Sequence, residues 1–103
     1  MASTKEYLEY ILEQLSGLDE VSFRAMMGEY ILYYHGRVFG GIYDDRLLVK
    51  PVPAAKKMLP DAAMELPYDG AKAMILVDNI DDRDFLCMLI ENMWEELPER
   101  KKR

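Results

Sequence analysis

The feature that most constrains the fold of this chain is the segment at 26–50, which reads MMGEYILYYHGRVFGGIYDDRLLVK. Two dipeptides, His35-Gly36 and Asp44-Asp45, lie between apolar segments, in the place where two-residue β-turns join antiparallel strands. Gly36 adopts a positive φ without strain, whereas aspartate does so less easily, so the first turn is the stronger of the two. The pattern predicts a three-stranded meander with strands at 29–34, 37–43 and 46–50.

Residues 3–16 have the periodicity of an amphipathic helix. Ser3 and Glu6 form an S-x-x-E capping box, in which each side chain satisfies a free backbone amide of the first turn. Gly17 follows the last turn, where a left-handed conformation commonly ends a helix. The apolar residues that recur at helical spacing are Leu8, Ile11, Leu12 and Leu15.

The remaining segments complete an α+β pattern. Pro51 and Pro53 end the meander, which a short strand at 21–26 precedes. Beyond them the sequence predicts a helix at 54–59, a turn at 66–70, a strand at 73–77, and a helix capped by Asp81 or Asp82 that runs to Leu97. We therefore expect an α+β fold with a single, mostly antiparallel sheet built on a β-meander, flanked by N-terminal and C-terminal helices.

Length and charge limit the classes of function. The 103 residues predict a single domain at 1–97, followed by a basic tail at 98–103. Thirteen bases stand against nineteen acids, and four of the bases are the last four residues, so the rest of the chain has a net charge of −10. Such an acidic body repels the phosphate backbone and makes nucleic acid a poorly matched partner.

The same composition predicts a cytoplasmic protein. No apolar run approaches the roughly 20 residues that a membrane-spanning helix needs. The first ten residues already include charged side chains and lack the apolar core of a secretory signal. Cys87 is the only cysteine, so no internal disulfide is expected, as is usual in a reducing compartment.

Because two-residue turns fix strand register, the meander can be sorted into two faces. The turns set Tyr34 against Arg37, Leu32 against Phe39, and Gly41 against Leu48. An aliphatic set is expected to pack on the helices, and it comprises Ile31, Tyr33, Val38, Gly40, Ile42, Leu47 and Val49. Gly40 lies beside Gly41 in the middle strand, where glycine permits a β-bulge, and a bulge there would shift the register downstream.

The opposite face of the meander mixes aromatic and basic side chains. Tyrosine, phenylalanine and arginine are enriched at protein interfaces, so this face is the predicted partner-binding surface. The partner-binding residues that it predicts are Tyr30, Leu32, Tyr34, Arg37, Phe39, Tyr43, Arg46 and Leu48. The alternative is that a helix or the chain's own loops cover this face.

The residues that could carry chemistry do not form a recognisable site. His35 is the only histidine and lies in a predicted turn, and Cys87 lies at the margin of the last helix's apolar stripe. The acidic run at 78–84 lacks the ligand spacing of a calcium loop and suits helix capping better. There is also no glycine-rich phosphate-binding motif. We therefore expect a non-enzymatic protein without catalytic residues, cofactor, metal or small-molecule substrate.

Five short segments of the chain form a distinctive pattern together: Met26-x-Gly28, Gly36-Arg37-Val38-Phe39, Asp45-Arg46-Leu47-x-Val49-Lys50, Pro67-Tyr68-x-Gly70 and the strand from Met74 to Val77. In these segments the chain resembles the N-terminal domain of the TfoX/Sxy competence regulators. The departures are Met26-Met27-Gly28-Glu29, where the family tends to have Met-Phe-Gly-Gly, and Pro67 in place of an aromatic residue. The resemblance implies a non-enzymatic bacterial domain that takes part in regulating DNA uptake through partner proteins.

Three hypotheses of function follow. The first is a protein-interaction module that binds a partner protein or a second copy of itself. A homodimer would then become a folded monomer on Tyr34→Glu or Phe39→Glu substitution. The alternative is single-stranded nucleic-acid binding on the aromatic-basic face, where bases could stack on the rings. A small-molecule enzyme is the third option and has the least support, because no titratable cluster converges.

Overall fold

The computed structural model describes residues 3–97, in which the helices pack on one face of a single sheet. The helices are α1 (Lys5–Gln14), α2 (Pro53–Met58) and α3 (Arg83–Met93), and a short 3-10 helix (Trp94–Glu96) follows α3. The strands are β1 (Val21–Met26), β2 (Glu29–Tyr34), β3 (Arg37–Ile42), β4 (Leu47–Val49), β5 (Met64–Glu65) and β6 (Met74–Val77). The predicted basic tail at 98–103 lies outside the described residues.

The sheet confirms the predicted α+β class. Its strand order is β1-β2-β3-β4-β6-β5, and every neighbouring pair is antiparallel. The first four strands follow chain order, so the predicted strand at 21–26 is confirmed as β1 and joins the meander as a fourth strand. The sequence did not predict β5, because two residues are too few to show a period.

Three two-residue turns connect the meander, and both central residues of each have a positive φ. This is the type I′ geometry, whose twist matches that of the flanking strands. The turns are Met27-Gly28 (φ 53° and 86°), His35-Gly36 (49° and 80°) and Asp44-Asp45 (55° and 55°). The two predicted turns are confirmed, and the third joins β1 to β2.

A β-bulge in β3 corrects the predicted sorting of the two faces. Leu32 pairs with Gly40 and Tyr33 pairs with Val38, so Phe39 is an extra residue without a partner on β2. The bulge at Phe39 immediately precedes the first of the two adjacent glycines. Side chains after the bulge follow the predicted sorting, whereas those before it are reversed.

The reversal decides which residues form the core. Leu32, Tyr34 and Phe39, predicted to point away from the helices, belong to the buried cluster beneath them. Ile42, Leu47 and Val49 lie in the same cluster, as predicted. Ile31, Tyr33 and Val38 were expected in the core, but they lie on the opposite face.

The helix termini confirm one predicted cap and correct two details. Asp82 caps α3, since its carboxylate accepts a hydrogen bond from the Phe85 amide at 3.1 Å. At α1 the cap is Thr4 rather than Ser3, because the Ser3 hydroxyl instead donates to the carboxylate of Glu29. Among residues 3–97 the glycines with positive φ are in turns and do not include Gly17, so the predicted left-handed end of α1 is wrong. No helix within these residues has the length and hydropathy needed to cross a membrane.

Candidate functional site

Five of the eight predicted partner-binding residues lie on the helix side of the sheet. Leu32 and Phe39 are completely buried there, and Tyr34 is nearly so. Tyr30 and Arg37 are half-buried. The prediction that these five form an exposed surface is therefore wrong, and its cause is the bulge at Phe39. A glutamate at Tyr34 or Phe39 would test folding and not association, because a charge would be buried.

Arg37 has a structural role beside the C-terminal end of α3. Its guanidinium group lies 4.0 Å from the ring centre of Trp94, a cation–π distance, and donates a 2.9 Å hydrogen bond to the Trp94 carbonyl. The Trp94 indole in turn donates to the carbonyl of Tyr34 at 3.2 Å. Burial raises the pKa of Tyr34, and the nearby carboxylates of Asp19 and Glu91 raise it further. These contacts attach the short 3-10 helix to the β2–β3 turn.

Arg46 and Leu48 also differ from the prediction of an exposed binding surface. Arg46 forms an ion pair with Glu65 and donates to the Tyr43 carbonyl at 3.1 Å, which joins the β3–β4 turn to β5. Leu48 does lie on the face away from the helices, in register with Gly41, but it is completely buried. Of the eight predicted residues, Tyr43 and Arg46 are both on that face and partly accessible, because they pair across the β3–β4 turn.

We define the helix-free face by six apolar or aromatic side chains that line one cavity on the side of the sheet opposite the helices. None of its residues belongs to the described core cluster or to the side chains packed against that cluster. All are half-buried except Tyr68, which is 64% exposed. The face consists of Ile31, Tyr33, Val38, Tyr43, Tyr68 and Met74.

Two open cavities lie side by side on the helix-free face. One has a volume of about 480 Å³ and extends under residues 67–74, and the other has about 540 Å³ and extends toward Met26 and Met27. Ile31, Tyr43 and Tyr68 line both cavities, so they form the ridge between them. Together the cavities form a trough with predominantly apolar walls across the middle of the sheet.

Gly41 makes the aromatic ridge possible. A Cβ atom at this position would lie 2.7 Å from Cε2 of the Tyr43 ring, so the ring occupies the space that a side chain would fill. The Tyr43 and Tyr68 ring centres are 6.3 Å apart. Burial raises the pKa of Tyr43, with further contributions from Tyr68 and Glu29. The phenol therefore stays neutral, and its ring presents an apolar surface.

Met27 stands at the rim of the trough in an unfavourable conformation. Its side chain is 97% exposed, and its φ of 53° lies in the left-handed region, which an unbranched apolar residue rarely adopts. Asn-Gly is the preferred sequence for such a turn. Met26, its neighbour, is 50% exposed and lines the same cavity. Local stability does not explain a methionine at this position.

Two lysines give one end of the trough a positive charge. Lys50 and Lys72 line the 480 Å³ cavity, and within the described part of the chain neither has an ion-pair partner. The acidic residue nearby is Glu96, whose carboxylate accepts a hydrogen bond from the Ala54 amide at 2.7 Å. The lysines are therefore available to a negatively charged group of a ligand.

The residues considered for chemistry have structural contacts. His35 lies 3.2 Å from a carboxylate oxygen of Asp19 and 3.4 Å from one of Glu20. Burial raises the pKa of Cys87, which keeps it a thiol, and its Sγ donates to the Gln14 carbonyl at 3.8 Å. Within residues 3–97, no three His, Cys, Asp or Glu side chains converge as a metal site would require.

The sequence pattern does not identify the residues that build the helix-free face. It predicts Ile31, Tyr33 and Val38 in the core and Tyr68 in a turn without a binding role. The signal that could have found the first three is the pair Gly40-Gly41, because one extra residue at that point reverses the sorting of everything before it. The sequence pattern of residues 66–70 does not indicate that the Tyr68 side chain lies against the sheet.

Comparisons with known proteins relate the chain to one family. The family model described as the TfoX N-terminal domain matches residues 13–94. A protein of Spirochaeta aurantia, named as an uncharacterized 12.7 kDa protein in the trpE 5′ region, is 31% identical over 80 residues, which cover 78% of this chain and 70% of that protein. No solved structure matches.

Proposed function

Because the chain belongs to the TfoX N-terminal domain family, we propose that it is a non-enzymatic protein-interaction domain whose helix-free face binds an apolar segment of a partner protein. The observation that supports this most is the asymmetry of the sheet. The helices cover most of one face and leave Phe23 at its edge exposed, whereas the other face presents an aromatic ridge between two open cavities. Apolar surface of this kind commonly marks an interaction site in a monomeric domain.

The chemistry of the walls favours protein as the ligand. Ile31 and Val38 are aliphatic, and Met26, Met27 and Met74 are flexible and polarizable, so they can pack against varied apolar side chains. Such residues offer no planar surface for stacking a base. The tyrosines combine a large apolar ring with a hydroxyl group, a combination enriched at protein interfaces.

Charge adds a second requirement on the partner. Lys50 and Lys72 lie at one end of the trough without an ion-pair partner in residues 3–97. A partner segment with an aspartate or glutamate at that end would gain a favourable contact and a defined orientation. We therefore propose an apolar segment that carries an acidic side chain at one end.

Met27 supports the proposal because it departs from the local rules of stability. An exposed methionine in a left-handed turn costs free energy that asparagine would save. Sites where a sequence departs from local preference are often functional ones. At the rim of the trough, the Met27 side chain can close over a bound segment.

Single-stranded nucleic acid is the second candidate ligand. Tyr33, Tyr43 and Tyr68 share the helix-free face with Lys50 and Lys72, and such surfaces can stack bases and contact phosphates. The chain's net charge of −6 opposes this ligand, and so do the aliphatic walls. The resemblance to competence regulators extends either form of the proposal to a role in regulating DNA uptake or transcription.

A peptide selection tests the proposed function. Random displayed peptides would be selected against the protein, and the binding of the enriched peptides would be measured by fluorescence anisotropy. We expect apolar peptides with one acidic residue, bound about tenfold more weakly by the Tyr68→Glu variant. Met88→Glu is the matched control, because Met88 is 53% exposed on α3, away from the helix-free face.

Each outcome of this experiment is informative. Failure to enrich any peptide, or equal weakening by Tyr68→Glu and Met88→Glu, would contradict binding at the helix-free face. Titration of a labelled oligonucleotide at low salt covers the second candidate. Oligonucleotide binding that Tyr68→Glu abolishes would replace the peptide with a nucleic acid as the ligand.

A further inference from the structure

The two edges of the sheet differ in how much backbone they expose. β5 closes one edge with two residues, whereas β1 forms the other edge with six. Five of the six residues of β1 are exposed, and the first is half-buried. Proteins usually protect such an edge with proline, charged side chains or a bulge. β1 reads VSFRAM, and its pairing with β2 is continuous from Val21 to Met26, so its one protection of this kind is the charge of Arg24.

The register shows which backbone groups of β1 point outward. The two-residue turn makes Met26 and Glu29 a hydrogen-bonded pair, and hydrogen-bonded pairs alternate along an antiparallel ladder. The carbonyl of Glu20 accepts a hydrogen bond from the His35 amide at 3.1 Å, which agrees with this alternation. The even-numbered residues of β1 therefore bond to β2. The amides and carbonyls of Val21, Phe23 and Ala25 point away from the sheet.

We propose that β1 pairs in antiparallel fashion with β1 of a second copy of this chain, about a two-fold axis at Phe23. In this register Val21 and Ala25 of one copy face Ala25 and Val21 of the other, and the two Phe23 residues face each other. All three outward residues of each strand are then satisfied, with about six hydrogen bonds in the pair. Other symmetric registers leave some of these groups without a partner.

The side chains of β1 complement each other in this register. Arg24 is the one charged residue of the strand, and it faces Ser22 of the second copy instead of another arginine. Like charges directly opposite would destabilise a strand pair. Phe23 is 46% exposed and contacts the ring of Tyr30 edge-on at 5.9 Å, so strand pairing adds cover to an aromatic side chain. The β1 strand of a second copy thus has the side chains that this register requires, whereas an unrelated strand would match them only by chance.

This interface is separate from the proposed function. It uses the backbone of the sheet edge, whereas the proposed partner segment binds side chains on the helix-free face. One strand pair buries little surface, so we expect association in the micromolar range or weaker. The contact would join two sheets into one and leave both helix-free faces on the same side of it.

A proline substitution tests the strand pairing. Ala25→Pro removes an outward amide that makes no bond to β2 and places a ring against the second copy. Ala25→Thr is the matched control, because it keeps the amide and suits a strand. By analytical ultracentrifugation across micromolar to millimolar concentrations, we expect dimers of the unsubstituted chain and of Ala25→Thr, and only monomers of Ala25→Pro. Circular dichroism would check that both variants are folded.

Amide hydrogen exchange gives a readout that depends on the register. At a total chain concentration ten times the dissociation constant, about one fifth of the chains remain monomeric, so the amides of Val21, Phe23 and Ala25 should exchange about fivefold more slowly than in dilute solution. The amides of Ser22 and Arg24 should be protected at both concentrations, because they bond to β2. A chain that stays monomeric throughout would overturn the proposal. A dimer that survives Ala25→Pro with rapid exchange at these three positions would overturn it as well.

Discussion

At the scale of single residues, the β3–β4 turn shows how tertiary contacts support a strained backbone. Asp44 and Asp45 both have a φ of 55°, which costs a residue with a side chain about 1–2 kcal/mol. The Asp44 amide donates to the Glu29 carboxylate at 3.1 Å, and the Asp45 amide donates to the Ser3 hydroxyl at 3.1 Å. Asp45 also accepts a hydrogen bond from the Thr4 amide at 2.8 Å. The turn is thereby attached to the start of α1.

We expect Asp45→Ala to destabilise the protein by about 1 kcal/mol more than Asp44→Ala, because only the Asp45 carboxylate holds the Thr4 amide. The two positions have the same φ and are both exposed, so the difference reports the contacts of the Asp45 carboxylate with the Thr4 amide and hydroxyl. Urea unfolding followed by circular dichroism measures it. Equal losses in the two variants would show that the contact with Thr4 adds no stability.

At the scale of elements, the bulge in β3 determines which side of the meander packs on the helices. Gly40 is required there, because a Cβ atom would lie 2.1 Å from the Leu48 carbonyl oxygen and 2.8 Å from the Val49 Cα. Both atoms belong to the backbone of β4 and cannot move without opening the sheet. The glycine thus allows β3 and β4 to approach closely.

Gly40→Ala should therefore destabilise the protein by about 3 kcal/mol or more, at the upper end of the range for overpacked positions. Gly36→Ala is the comparison, since a Cβ atom there meets nothing within 4 Å and only its φ of 80° is unfavourable. We expect that variant to lose about 1–2 kcal/mol. Thermal and urea unfolding of the two variants measure the difference, and a smaller loss at Gly40 would contradict the close approach.

The sequence predicted the strands and turns better than it predicted which side of the sheet each side chain occupies. The turns at His35-Gly36 and Asp44-Asp45 were found because their chemistry is local. The side on which Leu32 and Phe39 lie depends on one extra residue, which leaves the alternating pattern almost unchanged. The N-terminal cap of α1 is Thr4 and not the predicted Ser3, because Ser3 contacts Glu29. No local sequence pattern relates Ser3 to Glu29. The candidate site was consequently predicted in the right segment but mostly on the wrong face.

At the scale of the whole molecule, folding keeps several tyrosine phenols and the cysteine thiol protonated. Burial raises the pKa of Tyr7, Tyr34 and Tyr43 and of the Cys87 thiol. In the unfolded chain these groups would titrate at about 10 for tyrosine and about 8.5 for cysteine. The folded state therefore keeps its protons to a higher pH than the unfolded state.

Because the unfolded state loses these protons first, the free energy of unfolding should be insensitive to them at neutral pH and should fall as the pH rises through about 9 to 11. Tyr34→Phe removes one of these titrating groups. The free energy of unfolding of this variant should therefore fall less steeply over that pH range. Urea unfolding at about pH 7 and about pH 10.5 measures both slopes. An equal alkaline loss in the variant would show that Tyr34 does not contribute.

The unequal length of the two sheet edges also limits how far assembly can go. Growth of a fibre by strand addition needs two free sheet edges on every subunit, because each subunit must pair with one neighbour at each edge. Here β5 has only two residues, so one direction is closed from the start. In the proposed dimer, contact through β1 would occupy the remaining edge, and the complex would be complete at two molecules. A long bare edge, ordinarily an aggregation hazard, is in this architecture self-limiting.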